Sequence, residues 1–201
     1  MSQPATIAET KRRLRGEARR IRAGAHESGS QIAGVTLARH GLALLGESKP
    51  GTVSGYHPFD TEIDCLPLLA ALESAGWRVA LPVVVARGEP LLFRQWTVGA
   101  PLRKGMWDIL VPGDSAEIVV PDVLLAPLLA FDRSGFRLGY GGGFYDRSLQ
   151  QLRAAGTATA VGVAYAVQEM ERCPREAFDQ PLDAVLTENG PMRPHRAGPR
   201  E

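Results

Sequence analysis

The chain has 201 residues, 44% of them hydrophobic and 22% charged, enough for one substantial core but short of what two would need. Twenty-three Lys and Arg against 22 Asp and Glu leave a net charge of +1, so neither nucleic acid nor a membrane surface is an expected partner. This balance excludes disordered, fibrous and disulfide-scaffold chains.

No window approaches the roughly 18 apolar residues that span a bilayer, and the polar N-terminus predicts no secretory leader. Cys65 and Cys173 are too few for a disulfide framework and have no clustered partners for a zinc site, so a reducing, cytoplasmic location is expected.

Thr6 followed by Glu9 reads as a capping box that opens a helix. Ile7, Leu14, Ala18 and Ile21 recur at helical spacing and predict its buried stripe, while Lys11, Arg12, Arg13, Arg15, Arg19, Arg20 and Arg22 make the other faces basic. Arg19, Arg20 and Arg22 are expected at the surface. A second helix is predicted over 30–45, ending at Gly46. A short strand follows over 52–57, then a helix over 65–75 capped by Asp64, with Pro67 in its first turn and Gly76 at its end. Strands are predicted over 77–81, 83–85 and 91–96, and an all-apolar one over 123–126, as at the centre of a sheet covered on both faces. A glycine-rich loop then leads into a helix over 144–154, with strands over 157–164 and 184–186. Alternating strands and helices predict an α/β fold, a three-layer sandwich whose mostly parallel central sheet is covered by helices on both faces. Residues 1–189 are expected to form one domain, and 190–201 a disordered tail.

The loop is the most informative segment. Four of the five positions 139–143 are glycine, after a predicted central strand and before a helix. Backbone amides freed of side chains, together with a helix N-terminus, suit phosphate oxygens. No Gly-Lys-Ser/Thr follows, so this is not a Walker loop, and Phe144 breaks the dinucleotide fingerprint. Arg137, Tyr145 and Asp146 add a cation, an aromatic ring and a carboxylate beside the glycines, as a nucleotide with a metal would require.

The run from Phe131-Asp132 through Gly135, Arg137-Leu138-Gly139 and the glycines to Phe144-Tyr145-Asp146 resembles the signature of the 5-formyltetrahydrofolate cyclo-ligase family, also called methenyltetrahydrofolate synthetases. The likeness is collinear. Lys11 to Arg15 resembles the family's basic N-terminal motif, Glu62-Ile63-Asp64 its acidic folate-side motif, and Met106-Trp107-Asp108-Ile109 with Pro112 its central segment. Gln168 and the stretch 178–188, with Asp179, Asp183 and Thr187, resemble its C-terminal block. Two positions depart from some members. Gly142 stands where they carry lysine, and Phe144-Tyr145 where they carry a tyrosine pair.

The resemblance implies ATP- and Mg²⁺-dependent cyclisation of 5-formyltetrahydrofolate to 5,10-methenyltetrahydrofolate, with release of ADP and phosphate. It implies ATP contacts at Lys11, Arg12, Arg13, Leu14 and Arg15 and at Arg137, Leu138, Gly139, Tyr140, Gly141, Gly142, Gly143, Phe144 and Tyr145. Arg137, Tyr145 and Asp146 are the expected catalytic residues, with Asp146 and Asp183 as magnesium ligands. Tyr56, His57, Glu62, Trp107 and Tyr145 are expected to bind the folate. The four histidines are scattered and no Ser-His-Asp or Cys-His set is legible, so covalent enzyme catalysis is not indicated. The partners expected are ATP and the folate, and the protein is expected to be a monomer. The alternative is a non-catalytic homologue that binds folate or nucleotide. A nucleic-acid module built on the basic helix is opposed by the near-neutral charge and the lack of interleaved aromatic residues.

Overall fold

In the computed structural model, residues 6–46, 49–156 and 158–195 are described. The elements, in chain order, are helix α1 (Ile7–Leu45), β1 (Thr52–Ser54), α2 (Leu66–Ser74), β2 (Arg78–Val83), β3 (Leu92–Gln95), β4 (Arg103–Lys104), β5 (Leu110–Val111), β6 (Val123–Pro127), β7 (Ala130–Phe131), β8 (Arg137–Leu138), α3 (Phe144–Ala155), β9 (Thr159–Val163), β10 (Ala184–Thr187) and β11 (Gly190–Met192). Single 3-10 turns lie at Met106–Asp108 and Ala166–Gln168.

Seven strands form one sheet in the order β11-β10-β9-β6-β1-β2-β3. The inner five are parallel, and β3 and β11 join as antiparallel edges. The sheet is mostly parallel, as expected, with α2 carrying the chain from β1 back to β2 and α3 from β6 back to β9. Alternate residues face opposite sides. Val79, Leu81, Val123, Leu125, Val161, Val163, Ala184 and Leu186 pack with Leu37 and Leu45 of α1 and Leu68, Leu69 and Leu72 of α2. Ala80, Leu124, Ala160 and Val185 pack with Leu149 of α3 on the other face. Both faces are dry, which explains the nearly unbroken apolar run of β6.

The two helices expected at the N-terminus are one long element broken at Gly29, whose φ of 168° and ψ of 42° are not helical. Its start carries the predicted capping box between Thr6 and Glu9. The buried stripe of the first half differs from the predicted one. Ile7 and Ile21 are exposed, while Lys11, Ala18 and Arg22 are buried. This half covers loops at the carboxyl edge of the sheet, through Leu14 and Ala18 against Leu129, Ala130, Leu138 and Cys173. A helix face turned toward such loops meets carbonyls and carboxylates, so charged residues point inward.

The tail expected from 190 is corrected in part. Gly190–Met192 pairs with β10 as an antiparallel edge strand, and residues 196–201 lie outside the described ones. The Asn189-Gly190 pair is a hairpin signal, and the polar composition around it masked that signal. No helix among the described residues is long and apolar enough to cross a membrane. Both cysteines are buried and free.

Candidate active site

The chain leaves β1 for β2 through α2 on one face, and leaves β6 for β9 through α3 on the other. Because β1 and β6 are neighbours, the connections diverge between their carboxyl ends. Ligands of open α/β sheets bind at this switch point. Three segments meet there: residues 55–62 after β1, the glycine loop 139–143 after β8, and the first half of α1 laid across them.

The β7–β8 hairpin presents the loop. Buried Asp132 organises it, its Oδ1 accepting from Ser134 N (2.9 Å), Ser134 Oγ (2.6 Å) and Phe136 N (3.1 Å) and its Oδ2 from Cys173 N (2.8 Å). Gln168 is likewise architectural: its Nε2 donates to the Leu128 and Leu129 carbonyls, both at 2.9 Å. The loop itself lies open, with Tyr140, Gly141 and Gly142 exposed. Gly141 (φ +100°) and Gly143 (φ +67°) hold backbone conformations that favour glycine, and Gly143 is the N-cap of α3. The helix therefore starts with its amides uncovered by a side-chain cap, a positive end turned toward solvent.

Arg15 lies against this loop, its Nε donating to Gly139 O at 2.9 Å. Lys11, one turn earlier, does not reach it. Its ammonium is bound by Glu176 (2.8 Å) and Asp179 (2.7 Å), with the Phe178 ring 5.8 Å away. Burial opposes the Lys11 charge, but the two carboxylates outweigh it and raise its pKa. Arg12 and Arg13 face solvent, and Leu14 packs beneath the helix. Arg147 closes the loop from α3, donating from Nη2 to Gly142 O (2.6 Å) and lying 5.2 Å from the Phe144 ring centre. That ring fills the space a side chain at Gly142 would enter, 2.6 Å from an added Cβ. Trp107 meets Phe144 edge-on at 5.8 Å, from a backbone with φ of +57°. Such a conformation is unfavourable for so bulky a residue.

Asp146, in the first turn of α3, accepts at Oδ1 from Arg137 Nη2 (2.7 Å) and from Gln180 N (3.0 Å). Arg137 also donates to Gln180 O (2.6 Å) and is nearly buried, so it orients Asp146 from behind. Among the described residues, no hydrogen-bond donor reaches Asp146 Oδ2. Asp183 has other partners. It lies at the entrance to β10, where its Oδ2 accepts from Arg153 Nη2 (2.8 Å) and Ala160 N (2.9 Å). Arg153 belongs to the last turn of α3, about 10 Å along the axis from Asp146. The two carboxylates expected at the magnesium are thus each held by an arginine, Asp146 by Arg137 and Asp183 by Arg153. Among the described residues, no group of three or more His, Cys, Asp or Glu could hold a metal without help.

Glu62 is 7% exposed. Its Oε2 accepts from Phe59 N (2.9 Å) and its Oε1 from the Tyr140 hydroxyl (2.5 Å), with Arg22 Nη1 at 3.9 Å. Burial raises its pKa, against the opposing pull of Tyr140, Phe59 N and Arg22. Tyr145 is half-buried, and desolvation and the Glu62 charge raise the pKa of its hydroxyl. Tyr56 is sealed in the core with its hydroxyl donating to Ile63 O (2.9 Å), so it underlies the site rather than lining it. His57 is half-buried in the loop that follows β1.

Two features were not read from the sequence. Arg22, expected at the surface, is 1% exposed. Tyr140 reaches from the glycine loop to Glu62 and joins the two halves of the site. The spacing 11, 15, 18, 22 was the available signal for Arg22, since those positions share one helix face.

The model of the 5-formyltetrahydrofolate cyclo-ligase family matches residues 7–188. A curated relative from Haemophilus influenzae, named 5-formyltetrahydrofolate cyclo-ligase, is 33% identical over 183 residues, covering 89% of this chain and 97% of its own. An Escherichia coli relative of the same name is 42% identical over 142 residues, covering 68% and 77%. A solved 5,10-methenyltetrahydrofolate synthetase from Aquifex aeolicus shares 28% identity with a TM-score of 0.66, covering 94% of this chain and 95% of that one. One from Mycoplasma pneumoniae, at 22% identity, 89% and 98% coverage and a TM-score of 0.70, shares the fold.

Proposed function

This chain belongs to the 5-formyltetrahydrofolate cyclo-ligase family and is an enzyme of that type; on that premise we propose that it converts 5-formyltetrahydrofolate and ATP to 5,10-methenyltetrahydrofolate, ADP and phosphate. The chemical obstacle is the N-formyl group, an amide whose resonance deactivates its carbon and makes its oxygen a poor leaving group. Attack of the formyl oxygen on the γ-phosphoryl group gives an iminium phosphate. The neighbouring N10 then attacks the activated carbon and loses its proton. The original formyl oxygen departs with the phosphate.

Phosphoryl transfer is chiefly positioning and charge neutralisation. The amides of the glycine loop and the start of α3 receive phosphate oxygens, and Arg15 supplies the nearby cation. Tyr145 lies between the nucleotide side and the folate side. Magnesium binds through one or two carboxylates and substrate phosphates. The uncommitted Oδ2 of Asp146 fits an ion carried in on the nucleotide, and Arg137 fixes the orientation of that carboxylate. Magnesium, when bound, neutralises phosphate charge. Glu62 accepts hydrogen bonds from the pterin, and His57 and Trp107 flank it.

The observation that carries this reading is the bond from Tyr140 to Glu62. A single side chain of the phosphate-type loop touches the folate-side carboxylate, so the two ligands would meet where phosphoryl transfer needs them. The test is optical. Purified protein with ATP, Mg²⁺ and 5-formyltetrahydrofolate gives the near-ultraviolet absorbance of the methenyl product, and no rise at saturation refutes the catalytic reading. Binding without turnover is the second reading. It is favoured by the pairing of Asp183 with Arg153, which engages one of the two carboxylates expected at the metal. Calorimetric binding of both ligands without product would establish it.

A further inference from the structure

We propose that Arg22 is a positioning residue for the folate: from a buried place on α1 it holds Glu62 and Tyr140 in the arrangement that receives the pterin. The proposal rests on the assignment of Glu62 as the folate carboxylate. Arg22 Nε donates to Thr61 Oγ1 (3.0 Å), Nη2 to Asp60 Oδ2 (3.0 Å) and Nη1 to the Tyr140 hydroxyl, which itself donates to Glu62. Its guanidinium carbon lies 5.5 Å from the Tyr140 ring centre. Every one of these partners belongs to residues 60–62 or to the glycine loop. None belongs to the sheet or its helices, so Arg22 joins the two ligand-facing segments rather than securing α1 to the core.

A guanidinium 1% exposed is costly to bury, and an apolar side chain of similar size would serve packing better. The geometry gives the charge a use. Arg22 bonds Tyr140, which in turn donates to Glu62, and its own Nη1 lies 3.9 Å from Glu62 Oε1, so the cation favours the charged form of that buried carboxylate. The charged and titratable groups around Glu62 are Arg22 from α1, Tyr140 from the loop, Tyr145 from α3, Asp60 beside it, and Tyr56 and Cys65 beneath. Arg22 is the cation among them that lowers the Glu62 pKa, so its loss raises that pKa further.

The experiment measures 5-formyltetrahydrofolate affinity by tryptophan quenching without ATP, together with the pH profile of kcat/KM for the folate. Full-length wild type, Arg22→Met, Arg22→Lys, Glu62→Gln and the double variants are compared. Arg22→Met lowers folate affinity about tenfold or more, a larger effect than its change in KM for ATP. It also moves the acid limb of the profile upward. Arg22→Lys returns the acid limb toward wild type but only part of the affinity, because one ammonium cannot serve Thr61, Asp60 and Tyr140 together. In the Glu62→Gln background either change at Arg22 costs no further folate affinity. Unchanged affinity and acid limb in Arg22→Met, or the same loss with and without Glu62, overturns the proposal. If Arg22→Met does not fold, the Arg22→Lys and Glu62→Gln cycle decides by the same criterion. If the wild type neither binds nor converts the folate, the functional reading itself fails. If the wild type does both and the cycle is additive, this inference alone fails.

Discussion

Replacing Gly141 by alanine isolates the contribution of the glycine loop. Gly141 has φ of +100°, where an L side chain is strained, at a cost of about 1–3 kcal/mol. The added Cβ would lie 3.1 Å from Arg15 Cζ and 3.2 Å from Nη2, closer than side chains normally approach. Arg15 must shift, which endangers its 2.9 Å bond to Gly139 O, a charged hydrogen bond worth about 1.5–3 kcal/mol. The loop is exposed and escapes the strain by leaving its nucleotide-receiving conformation. Apparent affinity falls in proportion to the lost population, so KM for ATP rises roughly 5- to 150-fold while KM for the folate changes little. Formation of methenyl product, followed by absorbance at varied ATP, reads this directly. Gly99→Ala is the control, because its φ of +86° imposes comparable strain with no atom within 4 Å of the new Cβ. A Gly141→Ala enzyme with the wild-type KM for ATP would refute the claim that this backbone receives the nucleotide.

Asp146→Asn keeps the bonds from Arg137 and Gln180 sterically possible but removes the charge, so turnover falls about a hundredfold or more with folate affinity retained; unchanged kcat would remove Asp146 from the phosphate site. Arg15→Ala raises KM for ATP about tenfold, while Arg20→Ala, at the solvent face of the same helix, leaves it unchanged; equal effects would show that only diffuse charge matters. Lys11 has its folded pKa raised above 10.5, so its stabilisation is complete below that value and disappears as pH rises through the folded pKa. Thermal melts of wild type and Lys11→Met therefore differ most near neutrality and converge above about pH 10.5, and a constant difference would refute the ion pairs with Glu176 and Asp179.

The sheet was legible because β6, β9 and β10 carry apolar residues on both faces, which only a covered parallel sheet requires. The loop was legible for a related reason, since four glycines before a helix have few structural uses in common. Two likenesses to the family pointed at architecture instead. Asp132 and Gln168 spend their hydrogen bonds on the hairpin and its neighbours. The helix stripe was misread because a hydrophobic criterion assumes that inward means apolar. Along α1 the inward face meets Glu176, Asp179, Glu62 and a backbone carbonyl, so Lys11, Arg15 and Arg22 occupy it while Ile7 and Ile21 face water. The bond from Tyr140 to Glu62 lay beyond any local reading, because the two residues are 78 apart in sequence.

The interruption at Gly29 divides the labour of one long helix. Residues beyond it lock into the sheet through Ala33, Leu37 and Leu45, whereas those before it rest on loops, and a hollow of about 740 Å³ lies alongside the break. Cooperative unfolding need not cross such a junction. Amides of the basic half should therefore exchange with deuterium ahead of those in the second half, and bound nucleotide should slow the former while leaving the latter untouched.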